Sequence, residues 1–246
     1  MTALNTAELE MERKYLIPDE KSFNDILDFI PRPPETMGDY VVRASETKTR
    51  NYRYFDTFDA RLEEKGLLAY LGQGSLEKGG ISASLRARED DFVFTIKIPT
   101  GDPTTRDEYQ QRIVPSEGTN FYAIRPEDFS SWDALKKIRK IMSEDDVLQE
   151  TVRLEVLTNR FDLYHERQLR AEVAVDQVTA RGMGRLQCKF YELEVEAREN
   201  GNEADIIAIS ELFNQNQEGK LLPSQTPKWI KALKLMRGEK IEPDKP

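Results

Sequence analysis

The sequence predicts an α+β fold that is mostly β. Three observations carry this expectation. Apolar and polar residues alternate with period two in many segments, these segments follow one another closely, and helical periodicity is confined to a few stretches. The alternation runs over 8–17, 50–57, 81–89, 91–99, 106–114, 150–165, 171–179 and 187–197. So many strands at short spacing point to a sandwich or a barrel.

The helices can be taken in chain order. Asp19 can cap a segment that runs to about Phe29 and is closed by Pro31 and the Pro33-Pro34 pair. Pro126 and Glu127 open a second over 126–141, with Trp132, Leu135, Ile138 and Ile141 three residues apart. Residues 203–214 form a third, with Ile206, Ile207, Ile209 and Leu212 as its apolar stripe. Thr226 followed by Pro227 reads as an N-cap and a first-turn proline for a last helix, Lys228 to Met236.

At 246 residues the chain is expected to form one domain over 1–238, followed by a polar tail over 239–246 that reads as disordered. A hydrophobic content of 38% supports a core, and 33% charged residues leave many charges to be placed. No apolar run reaches the length of a membrane span and no basic-then-apolar leader opens the chain, so a cytoplasmic protein without membrane contact is expected. Cys188 as the single cysteine excludes an internal disulfide and a cysteine-ligated zinc site. One histidine, His165, argues against a histidine-rich metal site and a Ser–His type triad, and reads as structural or surface. Any metal would therefore be held by oxygen. A net charge of −9 argues against general nucleic-acid binding.

The placement of charge along the strands says more than the total. Glu8, Glu10, Glu12 and Lys14 share one face of their strand, while Leu9, Met11 and Tyr15 share the other. Glu192, Glu194 and Glu196 likewise share a face backed by Tyr191, Leu193 and Val195. The strands between carry the opposite sign: Arg86 with Arg88, Lys97 opposite Phe92, Phe94, Ile96 and Ile98, and Arg160 in the alternation of 160–164. Asp176 lies opposite Val173 and Val175. Each strand alone fits a half-buried element with one wet face. Segregation by sign is different, because like charges two residues apart repel unless a ligand of opposite charge offsets them. Close carboxylates suit a hard divalent cation such as Mg²⁺ or Mn²⁺. Clustered Arg and Lys suit phosphate oxygens. Together they point to a metal-bound polyphosphate.

These residues resemble the CYTH domain, or triphosphate tunnel metalloenzyme, family. Glu10-Met11-Glu12-Arg13-Lys14 is similar to its Glu-x-Glu-x-Lys signature. Tyr54-Phe55-Asp56-Thr57 with Asp59 and Leu62 resembles the second-strand motif, Arg86-Ala87-Arg88 its Arg-x-Arg, and Thr95-Ile96-Lys97 its strand lysine. Arg106-Asp107-Glu108 is similar to Arg-x-Glu, and Thr158-Asn159-Arg160 to Lys-x-Arg with threonine in place of lysine. Ala174-Val175-Asp176-Gln177-Val178, Glu192-Leu193-Glu194 and Ser224 through Lys228 complete the order. The departures are a longer, glycine-rich stretch over 63–80 and Pro227 where the family has a second serine.

The resemblance implies a closed eight-stranded antiparallel β-barrel, the triphosphate tunnel, with helices outside. It implies metal at Glu10, Glu12, Glu192 and Glu194 with Asp176 nearby. It also implies a triphosphate held by Lys14, Arg86, Arg88, Lys97, Arg160 and Lys228. A lysine in the first turn of a helix opposes the helix dipole unless an anion sits there, which adds to the reading of Lys228. The expected activity is metal-dependent hydrolysis of a small-molecule triphosphate, inorganic triphosphate first. Glu108, Asp176 and Lys97 are the candidate catalytic residues. The alternatives are a CYTH-type adenylate cyclase, a thiamine triphosphatase, or a polyphosphate- or nucleotide-binding module without turnover. Tyr52, Tyr54, Tyr70 and Trp132 do not distinguish among them. Oligomeric state is not legible.

Overall fold

Strand alternation translates into eleven strands among the described residues, which in this computed structural model are 11–73, 92–99, 106–113, 123–124, 142, 145–182 and 186–243. The strands are β1 (Glu12–Ile17), β2 (Thr36–Met37), β3 (Tyr40–Asp56), β4 (Leu68–Gln73), β5 (Phe92–Pro99) and β6 (Arg106–Ile113). They continue with β7 (Ala123–Ile124), β8 (Leu148–His165), β9 (Gln168–Gly182), β10 (Gln187–Ala197) and β11 (Leu222–Pro223). The helices are α1 (Glu20–Phe29), α2 (Arg61–Glu64), α3 (Glu203–Asn216) and α4 (Lys228–Met236). The strand expected over 81–89 and the helix expected over 126–141 lie outside the described residues.

These elements fall into two compact units, one built chiefly from Arg50–Leu154 and the other from Glu10–Thr49, Glu155–Arg181 and Leu186–Pro246. In the second unit the strand order is β11-β1-β10-β9-β8-β3. In the first it is β8-β3-β4-β5-β6, with β7 on β8. The ladders whose registers the described residues define are all antiparallel. The expectation of a closed eight-stranded barrel is corrected here. There are more strands than eight, and among the described residues no ladder joins β11 or β6 to a partner that would close the order.

Alternation explains how the second unit buries its core. Tyr15 and Ile17 of β1, Val173 and Val175 of β9, and Leu193 and Val195 of β10 point to one side. Phe23 and Ile26 of α1 and Ile206, Ile209 and Phe213 of α3 pack against them. Asp19 caps α1 as expected, its carboxylate accepting from the Ser22 amide at 2.7 Å. Asn202 and Asp205 form a reciprocal capping box at the start of α3. The buried stripe of α3 is Ile206, Ile209 and Phe213, with Ile207 and Leu212 only half-buried. A period of 3.6 selects these positions over the run read from sequence.

Two further differences have local causes. β8 and β9 form one hairpin through Glu166 and Arg167, both with positive φ (51° and 65°). That matches the twist of a two-residue turn without the usual Asn-Gly signal. β3 begins ten residues before the expected 50–57, after a turn at Gly38 (φ 58°) and Asp39 that pairs Thr36 with Val41. Thr226 does not cap α4. Pro227 has φ −58° and ψ 147° and stands outside the helix, and its carbonyl takes the first helical bond, from the Lys231 amide at 3.0 Å.

Leu193, next to Glu192 and Glu194 in sequence, is fully buried on the opposite, core face of β10. Leu193→Ala is expected to lower unfolding free energy by about 2–5 kcal/mol in urea titration, and a loss under about 1 kcal/mol would contradict this packing.

Candidate metal and phosphate site

The faces of β1, β10 and β9 turned away from the core carry Glu12, Lys14, Asp176, Glu192, Glu194 and Glu196 of the charges that the sequence segregated. Register fixes it in rows: Leu16 faces Glu192, which faces Asp176; Lys14 faces Glu194, which faces Ala174; Glu12 faces Glu196, which faces Glu172. Carboxylates directly opposite one another across a ladder destabilise it unless counter-charges intervene. Here they do.

Asp176 and Glu192 are buried and Glu194 is half-buried, and one oxygen from each lies within 4.8 Å of the others. Lys228, the first residue of α4, sends its Nζ to Glu194 Oε1 at 2.5 Å, Asp176 Oδ2 at 3.0 Å and Glu192 Oε2 at 3.1 Å. Lys231, one turn later and fully buried, pairs with Glu192 Oε1 and lies 3.5 Å from the Ser224 carbonyl. Lys14 pairs with Glu12 at 2.7 Å and reaches Glu194 at 3.6 Å. The Ser224 amide donates to the Lys14 carbonyl at 2.9 Å, tying the segment before α4 to β1.

Burial and charge pull the site's pKa values apart. Burial raises the Asp176 carboxyl, against the pull of Lys228, and Thr158 beside it also favours the ionised form. Burial opposes ionisation of Glu194 too, but Lys228 and Lys14 outweigh it and hold that carboxyl well below the usual range. Burial works against the Lys228 ammonium, yet Glu194, Glu192 and Asp176 push its pKa well above the ordinary lysine value. Lys14 behaves likewise: burial is overcome by Glu194 and Glu12. Lys231 goes the other way, lowered by burial that Glu192 only partly offsets.

The donor set fits a divalent cation. All three groups offer carboxylate oxygen, the ligand type that hard cations select. Among the described residues the buried Asp176 Oδ1 accepts no hydrogen bond, leaving acceptor capacity inside the cluster, while Glu192 Oε2 faces the Lys228 ammonium at 3.1 Å. Lys228 meets anions at a helix N-terminus, as the helix dipole requires, and those anions are the protein's own carboxylates.

Of the expected site residues, Glu12, Lys14, Asp176, Glu192, Glu194 and Lys228 are brought together in the second unit. Arg160, on β8, is engaged by the buried Glu172, which also pairs with Arg198; Arg198 reaches Glu196 at 3.0 Å. Lys97 lies on β5 in the first unit, half-buried and in register with Glu108 of β6. Glu10, Arg86 and Arg88 lie outside the described residues, as does the side chain of Glu108. Asp56 of the second-strand motif serves the fold. It accepts from the amides of Thr57, Leu62 and Glu63 at 2.7, 2.8 and 2.9 Å and so caps α2. Tyr52, Tyr54 and Tyr70 form one ring cluster with centroids 5.4–6.3 Å apart. Lys231 is a site residue that the strand pattern does not reveal. Its signal in the sequence is its spacing of three from Lys228, which puts both on one helix face.

No family model and no curated protein matches the sequence. Solved structures do. A proposed adenylate cyclase from Bacillus halodurans is 17% identical, with 91% of this chain and 97% of that chain covered and a TM-score of 0.56. A Hippeastrum protein, described as a proposed adenylyl cyclase with dominant triphosphatase activity, is 16% identical, with 94% and 97% covered and a TM-score of 0.57. Among the described residues no helix is long and apolar enough to cross a membrane.

Lys231→Ala leaves Glu192 buried with one counter-charge fewer and is expected to cost about 3–5 kcal/mol in urea unfolding. Glu192→Gln in the same chain should recover part of that loss, and strictly additive losses would contradict the pairing. This chain shares the fold of those two solved structures, the fold that the resemblance to the CYTH, or triphosphate tunnel, proteins implies.

Proposed function

We propose that the protein is a metal-dependent triphosphatase acting on a small-molecule triphosphate, with inorganic triphosphate the first candidate. The observation that carries this reading is the juxtaposition of Asp176, Glu192 and Glu194 with three lysines at one sheet face. Carboxylate oxygens converge there for a hard cation, and ammonium groups flank them for phosphate. The Hippeastrum protein of the same fold, in which triphosphatase activity is described as dominant, supports the choice of reaction.

Asp176, Glu192 and Glu194 would hold Mg²⁺ or Mn²⁺, with Glu12 and Glu10 of the signature strand completing the set. Such a cation, when bound, neutralises phosphate oxygens and lowers the pKa of a coordinated water. The chain's own groups do the rest. Lys14 and Lys228 bind phosphate oxygens through charge-assisted hydrogen bonds, and the resemblance assigns Arg86, Arg88, Lys97 and Arg160 to the same task. Ammonium groups fixed in a largely buried place stabilise charge that develops on the leaving phosphate more than water would. Asp176 and Glu108 are the candidate proton acceptors for the attacking water. His165 takes no part in this reading.

A cyclase reading is the second candidate, because the two solved structures named above are each described as a proposed adenylate cyclase. It uses the same residues and replaces water with a ribose hydroxyl.

The test is phosphate and pyrophosphate release from inorganic triphosphate, ATP and thiamine triphosphate, with Mg²⁺, Mn²⁺ or EDTA. Phosphate release that needs metal and is fastest with inorganic triphosphate is expected. Pyrophosphate with a cyclic product from ATP would favour the cyclase, and turnover of none would leave a binding module. Glu194→Gln is expected to abolish turnover while the far-ultraviolet circular dichroism is unchanged. Wild-type rates in that variant would remove the metal role.

A further inference from the structure

Lys228 is placed differently from the other cations of the site. Its Nζ lies within 3.1 Å of one oxygen on each of Asp176, Glu192 and Glu194, the three residues whose oxygens converge. A divalent cation drawn to those oxygens would meet the ammonium at a separation where like charges repel strongly. The two cannot hold the same carboxylates together.

The two lysines of α4 differ in their freedom to leave. Lys231 has no exposed surface and is held by Glu192 and close to the Ser224 carbonyl. Withdrawing it would strand a buried carboxylate. Lys228 stands at the first helical position, and its side chain keeps 19% of its surface exposed. A flexible four-carbon stem ending in a compact charge can swing from one set of acceptors to another. Charge favours such an exchange. The Glu12–Lys14 pair is neutral in itself; beside it, ionised Asp176, Glu192 and Glu194 with both α4 lysines sum to one negative charge, and a divalent ion in place of Lys228 brings the sum to zero.

We propose that Lys228 is an exchangeable counter-ion: its ammonium and a divalent cation compete for Asp176, Glu192 and Glu194, and cation binding turns Lys228 out to take a phosphate oxygen of the substrate. Lys231 is the resident counter-ion that stays on Glu192 throughout. This rests on the metal site of the proposed function and adds to it a coupling. The cation sets Lys228 free for the substrate, and substrate phosphate in turn keeps Lys228 from reclaiming the carboxylates.

The test uses Mn²⁺ alone, titrated by electron paramagnetic resonance into full-length protein stripped with EDTA, as wild type, Lys228→Met and Glu194→Gln. If Lys228 occupies the carboxylates for nine-tenths of the time, Lys228→Met should bind Mn²⁺ about tenfold more tightly than wild type. Glu194→Gln should lose this binding. A second measurement needs no variant. Acetylation of wild-type lysines, read by peptide mass, should rise at Lys228 when Mn²⁺ is added and stay low at Lys231. Should Lys228→Met fail to fold, that footprint decides alone. Unchanged or weaker Mn²⁺ binding in Lys228→Met, or unchanged acetylation of Lys228 in a wild type that does bind Mn²⁺, would overturn the exchange and leave the metal site standing. No Mn²⁺ binding by wild type or by Lys228→Met would overturn both, and retention of full Mn²⁺ binding in Glu194→Gln would do the same.

Discussion

Buried like charges need a counter-charge, and in this protein α4 supplies it. Asp176, Glu192 and Glu194 stand on adjacent strands with their oxygens in mutual reach, an arrangement that would drive β9 and β10 apart if left alone. Lys228 and Lys231 of α4, with Lys14 of β1, make it tenable. The placement of α4 follows from the same requirement. Two ammonium groups one helical turn apart must reach carboxylates on neighbouring strands. The bond from the Ser224 amide to the Lys14 carbonyl sets where the preceding segment begins. The apolar side of the same strands is closed by α1 and α3, so one sheet carries a packed core on one face and a charged site on the other.

That division is legible in the sequence because a strand writes its two faces in alternate letters. Glu192, Glu194 and Glu196 against Tyr191, Leu193 and Val195 is the clearest case: the first set is charged and the second reaches the core. α1 and its Asp19 cap, and α3 with its apolar stripe, are legible for the same reason, that local periodicity and capping chemistry act over a few residues. Lys228 is legible as a residue that needs an anion at its helix terminus. Sequence does not say which anion.

What the sequence withholds depends on contacts between distant segments. Lys231 looks like a surface lysine of an amphipathic helix until α4 is docked on β10, when it becomes the most buried cation of the site. Glu172 reads as one more strand carboxylate, yet it gathers Arg160 and Arg198, so a guanidinium assigned to phosphate is also tied to the protein. The β8–β9 turn escapes notice because Glu166 and Arg167 adopt positive φ without the glycine or asparagine that announces it. Closure of a barrel is a property of strand partners across the whole order, which alternation within any one strand does not encode.

Whether the carboxylates of β9 and β10 form a cation site whose lysine gives way is open to direct observation. The experiment is a crystal structure grown with Mn²⁺ and inorganic triphosphate, with anomalous scattering to locate the metal. Exchange at this site predicts an anomalous peak bonded to oxygens of Asp176, Glu192 and Glu194, with Lys228 Nζ turned onto a phosphate oxygen and Lys231 still on Glu192. A peak elsewhere, or Lys228 unmoved among the three carboxylates with triphosphate bound, would contradict it.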